Sequence, residues 1–565
     1  MWRRRGPIKF KAGCLLLCLL VVPACERAAS PDAAPEPASV KPQAYDPVAR
    51  AIASRGQLDN PEATVPPQCY TATEGRFNPC WSCHTTTNGR NRANDLNLQA
   101  RYAFSDVAMQ NHWNNLFVDR GDAIAAVDDA SILQWVRADN YSPLRAALAG
   151  RDDFLGWKPE LDLMRGFGDE GFALDGSGWR AFVYQPFPGT FWPTNGSASD
   201  AFIRLPPAFR HDQKGKVSAE IYRLNLAILE AAMTVSDTTP DNEIERAVEA
   251  VDERLIGLDL NADGELGMAT RLHGLPPHFA GAAAEVPVRR WLYPLGTEFL
   301  HTLRYLDPGA PSFRARRVKE VRHAVKVAML EDPGLREVYQ EEAVEKALGS
   351  PPHFRGTPDT GLLNDFGWMY QAYIEDAQGR LRLQTQQEQQ FCMGCHSNLG
   401  VTVDGSFSFV RKPPGAAGWG HQSLAELRDR PQLGQSHGEI ETWLARSGAA
   451  DEFRANQEML ARYFPNGELD TEALRAVRDL GELLLPSAGR ALALDKAYLA
   501  IVREQSFEHG RDAFVSPPEN VHRRIEEPET GLVDAGRVYD DGRLWLDWES
   551  EAEPAFAVRF APPPG

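Results

Sequence analysis

The chain has 565 residues, of which 43% are hydrophobic and 24% are charged, a composition typical of a globular protein with a large buried core. Its formal net charge of −18 argues against a nucleic-acid partner, because a phosphate backbone attracts basic surfaces. Length and composition together predict a soluble body of more than one domain.

Residues 1–24 are predicted to be a lipoprotein signal peptide. A basic segment, MWRRRGPIKFKAG, precedes the apolar run CLLLCLLVV, which is too short to span a bilayer as a helix. The following VPAC resembles a bacterial lipobox, in which the cysteine, here Cys25, is lipidated and becomes the new N-terminus. An ordinary secretory signal is the alternative, and both export the protein. Because Glu26 rather than Asp follows Cys25, we expect an outer-membrane lipoprotein that faces the periplasm or the cell surface.

The rest of the chain divides into five segments by composition. Residues 25–45 are rich in Ala, Pro and Ser and are predicted to form a flexible tether. Residues 46–200 and 346–510 each contain one C-x-x-C-H motif, and residues 201–345 between them are expected to be helical with an EF-hand-like loop. Residues 511–565 are predicted to be a β-rich tail, because GRLWLDWES and AFAVRF alternate apolar and polar residues.

The predicted fold class is mainly α with minor β. Apolar residues in AEIYRLNLAILEAAM recur at helical spacing, and NEIERAVEAVDERLI and FRARRVKEVRHAVKVAML repeat the pattern. The aromatic stretch WRAFVYQPFPGTFWPTNG predicts short strands and turns. Helices are also predicted after the second C-x-x-C-H motif, in GEIETWLARSG, DEFRANQEMLARYF, TEALRAVRDLGELLL and RALALDKAYLAIVREQSF.

Four of the eight cysteines lie in two C-x-x-C-H motifs more than 300 residues apart. The first motif comprises Cys80, Cys83 and His84, and the second comprises Cys392, Cys395 and His396. This spacing predicts covalent attachment of haem c, because two thiols can reach the vinyl groups on one porphyrin edge while the histidine binds the iron. A zinc site built from the four thiolates and a thioredoxin-like redox pair are the alternatives.

With these motifs and the export signal, the chain resembles a bacterial dihaem c-type cytochrome lipoprotein. The resemblance implies two haem c groups, a large dihaem cytochrome c architecture, and His84 and His396 as proximal iron ligands. Two groups of dihaem enzymes also come into consideration, the cytochrome c peroxidase and MauG group and the rubber oxygenase group.

The sixth ligand of each iron separates the functional hypotheses. A second strong ligand favours electron transfer, whereas an open position allows reaction with peroxide or oxygen. His112 and His301 are the candidate distal ligands. We predict a membrane-tethered electron relay that serves redox partner proteins. A dihaem peroxidase or oxygenase is the alternative, and a binding module with structural haems is a third hypothesis.

The segment DLNADGELGMAT predicts a calcium loop. Asp259, Asn261 and Asp263 occupy positions 1, 3 and 5 of an EF-hand loop, and Glu265 would supply its backbone carbonyl. Thr270 stands where the bidentate glutamate is expected, so another oxygen would have to complete the shell. A turn stabilised by Asp, Asn and Gly is the alternative.

Overall fold

An antiparallel sheet of eight strands is the centre of the fold, seen in a computed structural model that describes residues 45–60, 65–71, 80–85, 106–189, 193–233, 239–348, 350, 354–397, 399–448, 453–525 and 542–550. The described strands are β1 (Arg180–Phe182), β2 (Ala198–Arg204), β3 (Glu245–Asp252), β4 (Met268–His273), β5 (Glu298–Leu306), β6 (Arg314–Lys326), β7 (Arg355–Thr357), β8 (Gly361–Leu363), β9 (Trp368–Glu375) and β10 (Leu381–Leu383). The large sheet has the order β1-β2-β5-β6-β9-β8-β7, with β10 paired to β9, and β3 and β4 form a separate hairpin.

Helices pack around this sheet. The described α-helices are α1 (Ala49–Ala53), α2 (Cys80–Cys83), α3 (Gly121–Ala125), α4 (Asp129–Arg137), α5 (Tyr141–Leu148), α6 (Ala219–Met233), α7 (Asp332–Leu348), α8 (Gln386–Met393), α9 (Glu439–Ser447), α10 (Gln457–Tyr463), α11 (Thr471–Arg475), α12 (Leu480–Leu484) and α13 (Ala488–Glu504). Within the described ranges, no helix combines the length and the apolar character needed to cross a bilayer.

The prediction of a mainly α fold was wrong, because the centre of the molecule is the eight-stranded sheet. Strand β6 shows the reason. Its apolar spacing and many charges predicted an amphipathic helix, but several of its charged side chains are buried and paired with residues of other segments. Arg317 bonds Glu375 of β9 at 2.7 Å, and Glu320 bonds Arg511 at 3.1 Å. The local spacing of apolar residues does not report ion-pair partners that lie far away in sequence. The strand was therefore predicted to be a helix.

Two other segments differ from their predicted helices. In the segment predicted to be helical over 217–257, Ala219–Met233 forms α6, whereas Glu245–Asp252 is the strand β3. His301, expected on a helix, lies on β5. Strand propensity depends on packing against neighbouring strands, which a local pattern does not report.

Helices form in all four segments predicted to be helical after the second motif, although TEALRAVRDLGELLL forms two short helices, α11 and α12, instead of one. Each of α10, α11, α12 and α13 begins after a side chain that accepts a hydrogen bond from the first turn, as Ser487 does from the Arg490 amide at 3.2 Å. Such caps and the apolar stripe are local, so the sequence was sufficient to predict these elements.

The predicted β-rich tail, residues 511–565, is described over residues 511–525 and 542–550, and AFAVRF lies outside the described residues. Neither described stretch contains a strand. There Leu546 makes a single β-bridge with Gln432 rather than a strand. The signal peptide, Cys25 and residues 26–44 of the tether also lie outside them. The predicted segments 46–200, 201–345 and 346–510 each contribute strands to the large sheet, and their boundaries stay predictions.

Candidate ligand-binding site

A cavity of about 130 Å³ lies against one face of the large sheet. The pairing register of the strands determines which residues form the floor of this cavity. His301 of β5 is opposite Arg322 of β6, and Ala324 is opposite Phe299 on one side and Tyr370 on the other. Alternate residues of a strand point to the same face, so these side chains share the cavity. Since a water molecule needs about 10–15 Å³ measured in this way, the cavity has room for roughly ten waters or one small organic molecule.

The second C-x-x-C-H motif forms the opposite wall. Helix α8 is capped by Thr385, whose hydroxyl accepts from the Glu388 amide while the Glu388 carboxylate accepts from the Thr385 amide. Seven residues after Thr385, Cys392 lies in the last turn. The chain then folds back, with the His396 amide donating to the Cys392 carbonyl at 3.0 Å. Cys392, Cys395 and His396 therefore all line the cavity.

His396 is held by three contacts. Its Nδ1 donates to the Gly405 carbonyl at 2.9 Å, because a carbonyl oxygen can only accept. The ring lies 4.9 Å from that of Tyr370 and stacks on Phe407 at 5.8 Å. Burial lowers the pKa of His396 to about 4, so the imidazole is neutral at physiological pH. The bond at Nδ1 leaves the lone pair of the neutral ring on Nε2.

His301 is the second imidazole of the cavity. Burial, with Arg322 next in importance, lowers the pKa of His301 to about 3, so this ring is also neutral. Its Nε2 is buried and has no hydrogen-bond partner among the described residues. An unsatisfied buried nitrogen costs about 1–3 kcal/mol, which makes it a point where a ligand could gain a hydrogen bond.

The Cys392 thiol is protonated at physiological pH. Burial raises the pKa of Cys392, and this effect exceeds the opposing effect of Arg322 and Arg511. The Arg322 guanidinium donates through Nε to Glu320 at 2.8 Å. A protonated thiol is a poor nucleophile, so Cys392 offers the cavity a weak hydrogen-bond donor and a polarisable sulfur atom rather than a thiolate.

The described side chains of the first motif lie beside the loop that follows the second motif, and they do not line the cavity. The Val401 amide donates to the Cys83 carbonyl at 3.1 Å. A Cβ built on Gly400 would lie 2.5 Å from the Thr85 carbonyl oxygen, so the two segments touch closely. Neither Cys83 nor His84, which are both described, is among the residues that line the cavity. Cys80 is the first residue of α2, and its side chain lies outside what the structure describes.

The other predicted ligands do not join this site. His112 places its Nε2 3.0 Å from the Val107 carbonyl and does not line the cavity among the described residues. In the predicted calcium loop, the carboxylates bond their own backbone. The amide of Gly264 donates to Asp259 at 2.8 Å, and that of Glu265 donates to Asp263 at 2.9 Å. The Asn261 side chain donates to Asp263 at 2.9 Å, so the loop is organised as a turn.

Comparison with known proteins identifies a class, the lipoproteins. Residues 53–473 match a family model described as "-like lipoprotein". The chain is also 32% identical over 554 residues to an uncharacterized lipoprotein of Aquifex aeolicus (strain VF5), covering 84% of this chain and 91% of that relative. No solved structure matches. The chain belongs to this lipoprotein family, and it is therefore an exported protein held at a membrane through a lipid.

The family corrects the cytochrome interpretation. The matching family is a lipoprotein family and not a cytochrome family. Across the described ranges, no group of three or more His, Cys, Asp or Glu side chains is arranged to hold a metal ion. The predictions of a dihaem cytochrome, of two haem c groups with a calcium ion, and of electron transfer or dihaem peroxidase and oxygenase activity were wrong. A short sequence motif can occur by chance or for an unrelated structural reason. Its chemical role is established only by the residues that surround it in the fold.

Several cavity residues were missed by the sequence analysis. They are aromatic residues and one acid: Trp113, Tyr184, Phe299, Trp368, Tyr370, Phe391, Phe407 and Asp512. They come from segments spread over most of the chain. No local pattern marks them, because only the sheet register and the loop paths bring them together.

Proposed function

We propose that this lipoprotein binds a small, largely apolar molecule in the cavity between the sheet and the second C-x-x-C-H motif. The observation that carries the proposal is the unpartnered Nε2 of His301 beside a cavity walled by aromatic rings. Ligand sites are concave and mostly apolar, with a few convergent polar groups that set orientation. Here those groups are His301, His396, Cys392 and Cys395.

The charge state of the polar groups limits the ligand. Both imidazoles are neutral at physiological pH, and burial keeps the Cys392 thiol protonated by raising its pKa. The Arg322 guanidinium faces the Glu320 carboxylate at 2.8 Å. None of these groups needs a charged group of the ligand as its partner. They therefore support the binding of an apolar molecule that carries a few hydrogen-bonding groups.

Binding is tested with the neutral dye N-phenyl-1-naphthylamine, whose fluorescence rises in apolar surroundings. The wild-type protein is expected to bind it with one saturable site. Ala324 lies on the cavity floor, so Ala324→Phe should fill the space and weaken binding about tenfold or more. Ala130→Phe, on an exposed position of α4, is the matched control and should bind like the wild type. Equal affinity of the two variants would show that the dye binds elsewhere.

The proposal extends to the anchor. Cys25 is proposed as the lipidated residue and the outer membrane as its location, since Glu26 follows the cysteine. Cells fed radiolabelled palmitate should label the wild type and not Cys25→Ser, while Cys18→Ser, inside the signal, should label normally. Fractionation should then find the wild type in outer membranes. Labelling of Cys25→Ser would contradict the assignment.

A further inference from the structure

Asp512 is a carboxyl group of the cavity that the proposed binding role does not yet use. It follows the buried Arg511 in the segment after α13 and lines the cavity. The Asp512 carboxylate accepts no hydrogen bond from the described residues. The neighbouring Arg511 does not serve it, because its guanidinium donates to Glu320 at 3.1 Å and 3.2 Å. Asp512 is only partly buried, so a charged carboxylate there depends on solvent for its hydrogen bonds.

Several charges face Asp512, and most have partners of their own. Lys319 donates to the Ser197 hydroxyl at 3.3 Å as well as to the Gly196 carbonyl. Glu320 is shared by Arg322 and Arg511. The charged and titratable groups that face Asp512 or share its cavity are Lys319, Glu320 and Arg322 of β6, His301 of β5, Cys392, Cys395 and His396 of the second motif, and Arg511.

The resting protonation state of Asp512 is finely balanced. Burial raises the pKa of Asp512 to about 6, against the opposing effect of Lys319 and Arg322. The carboxyl is thus mostly ionised at pH 7 and mostly protonated at pH 5. His301 and His396, with pKa values of about 3 and 4, hardly titrate in this window, and Lys319, with a pKa of about 8, stays mainly charged.

We infer that entry of an uncharged or anionic apolar ligand is coupled to the uptake of one proton by Asp512. This inference rests on the proposed binding function. A ligand that fills the cavity shields from solvent a carboxylate that accepts no hydrogen bond from the described residues. Loss of that solvation favours the neutral carboxyl, so the ligand binds the protonated protein more tightly. A cationic ligand would have the opposite effect and release a proton.

The experiment is a titration of the full-length protein with N-phenyl-1-naphthylamine at pH 5 and pH 7. If the bound state raises the carboxyl pKa by one unit or more, the dissociation constant should rise about fivefold from pH 5 to pH 7. Calorimetry at pH 7 in phosphate and in Tris should give enthalpies that differ in the sense of proton uptake. This second measurement uses the wild type alone.

The variant Asp512→Asn removes the titration while keeping the shape of the side chain. It should bind the dye equally at both pH values and take up no proton. Asp122→Asn, at an exposed position of α3, should keep the pH dependence of the wild type. Binding that is independent of pH, or that releases a proton, overturns the inference and leaves the proposed function standing. No saturable binding at either pH overturns the proposed function, and the inference with it.

Discussion

The two C-x-x-C-H segments share a motif but not a setting. The second, Cys392 to His396, ends a capped helix, and its thiols and imidazole line a cavity. The first, Cys80 to His84, begins on a helix of four residues, and Cys83 packs against the main apolar cluster. The Cys83 carbonyl accepts a hydrogen bond from the amide of Val401, in the loop that follows the second segment. Identical residues at identical spacing therefore serve one segment as the wall of a cavity and the other as part of the packing behind it.

This difference shows that the surroundings, not the motif, decide what these side chains can do. The helix that leads into the second segment is held by the buried ion pair of Arg382 with Glu388 at 2.7 Å, and Arg511, far away in sequence, donates to the Glu388 carbonyl. The first motif touches the loop after the second motif at Gly400 and Val401. A substitution in one motif should therefore affect the structure of the other only through this contact. The following changes test this asymmetry.

The largest effect is expected for Glu388→Gln. Its carboxylate is fully buried and accepts from Arg382 at 2.7 Å and 2.8 Å and from the Thr385 amide at 2.8 Å. Removing one partner of a buried pair costs about 3–5 kcal/mol, so the free energy of unfolding in urea should fall by that amount. Glu482→Gln, in an exposed pair with Arg478, should cost less than about 0.5 kcal/mol. Equal losses would mean that the second segment has no special support.

The buried pair of Arg382 and Glu388 also predicts that the fold loses stability in acid. Although burial alone would raise it, Arg382 lowers the pKa of Glu388 to about 2 from 4.5. A carboxyl with a depressed pKa stabilises the fold above its unfolded value and loses this contribution as the pH falls from 4.5 towards 2. The wild type should therefore lose stability over this window more steeply than Glu388→Gln, as urea titrations at pH 5 and pH 3 would show.

Gly400→Ala tests the contact between the segments. The new Cβ would meet the Thr85 backbone at 2.5 Å and 2.8 Å, which forces the two segments apart. Such overpacking typically costs about 1–3 kcal/mol. Gly150→Ala has open space around its Cβ and should leave the unfolding midpoint nearly unchanged. A stable Gly400→Ala protein would show that the segments move apart freely.

His301→Phe should flatten the pH dependence of stability. The pKa of His301 falls from 6.5 to about 3 on folding, chiefly by burial. The unfolded chain therefore binds a proton between these values that the folded chain does not, and the wild type loses about 1.4 kcal/mol per pH unit below 6.5. The variant lacks this loss, whereas His273→Phe, at an exposed residue of β4, should keep it. Parallel stability curves for His301→Phe and the wild type would place the acid sensitivity elsewhere.

The smallest effect concerns the thiols. Iodoacetamide labelling followed by peptide mapping should be slow at Cys392 because burial raises its pKa. Bound dye should slow labelling of Cys392 and Cys395 by about twofold or more, since both line the cavity. Cys83, which lies outside the cavity, serves as the control within the same protein. Equal protection of all three would indicate a general stabilisation instead of occupation of the cavity.

Elements that depend on neighbouring residues were predicted correctly from the sequence, and elements that depend on distant residues were not. The helices after the second motif were predicted because caps such as Ser487 and an apolar stripe lie within one segment. Strand β6 was misread because Glu375 and Arg511, which neutralise its charges, lie far from it in sequence. His301 was selected as a candidate ligand and does reach the cavity with His396, but on a strand and in a protein of a different family from that expected.

The sequence by itself determined the positions of the two motifs, the acidic composition, the lipoprotein character and the capped helices, since each depends on residues close together in the chain. Only the tertiary structure brings His301, Arg322 and Asp512 to the second motif around one cavity, which the described Cys83 and His84 of the first motif do not line. The physical reason is that strand register, the burial of ion pairs and the resulting pKa shifts depend on partners contributed by distant segments.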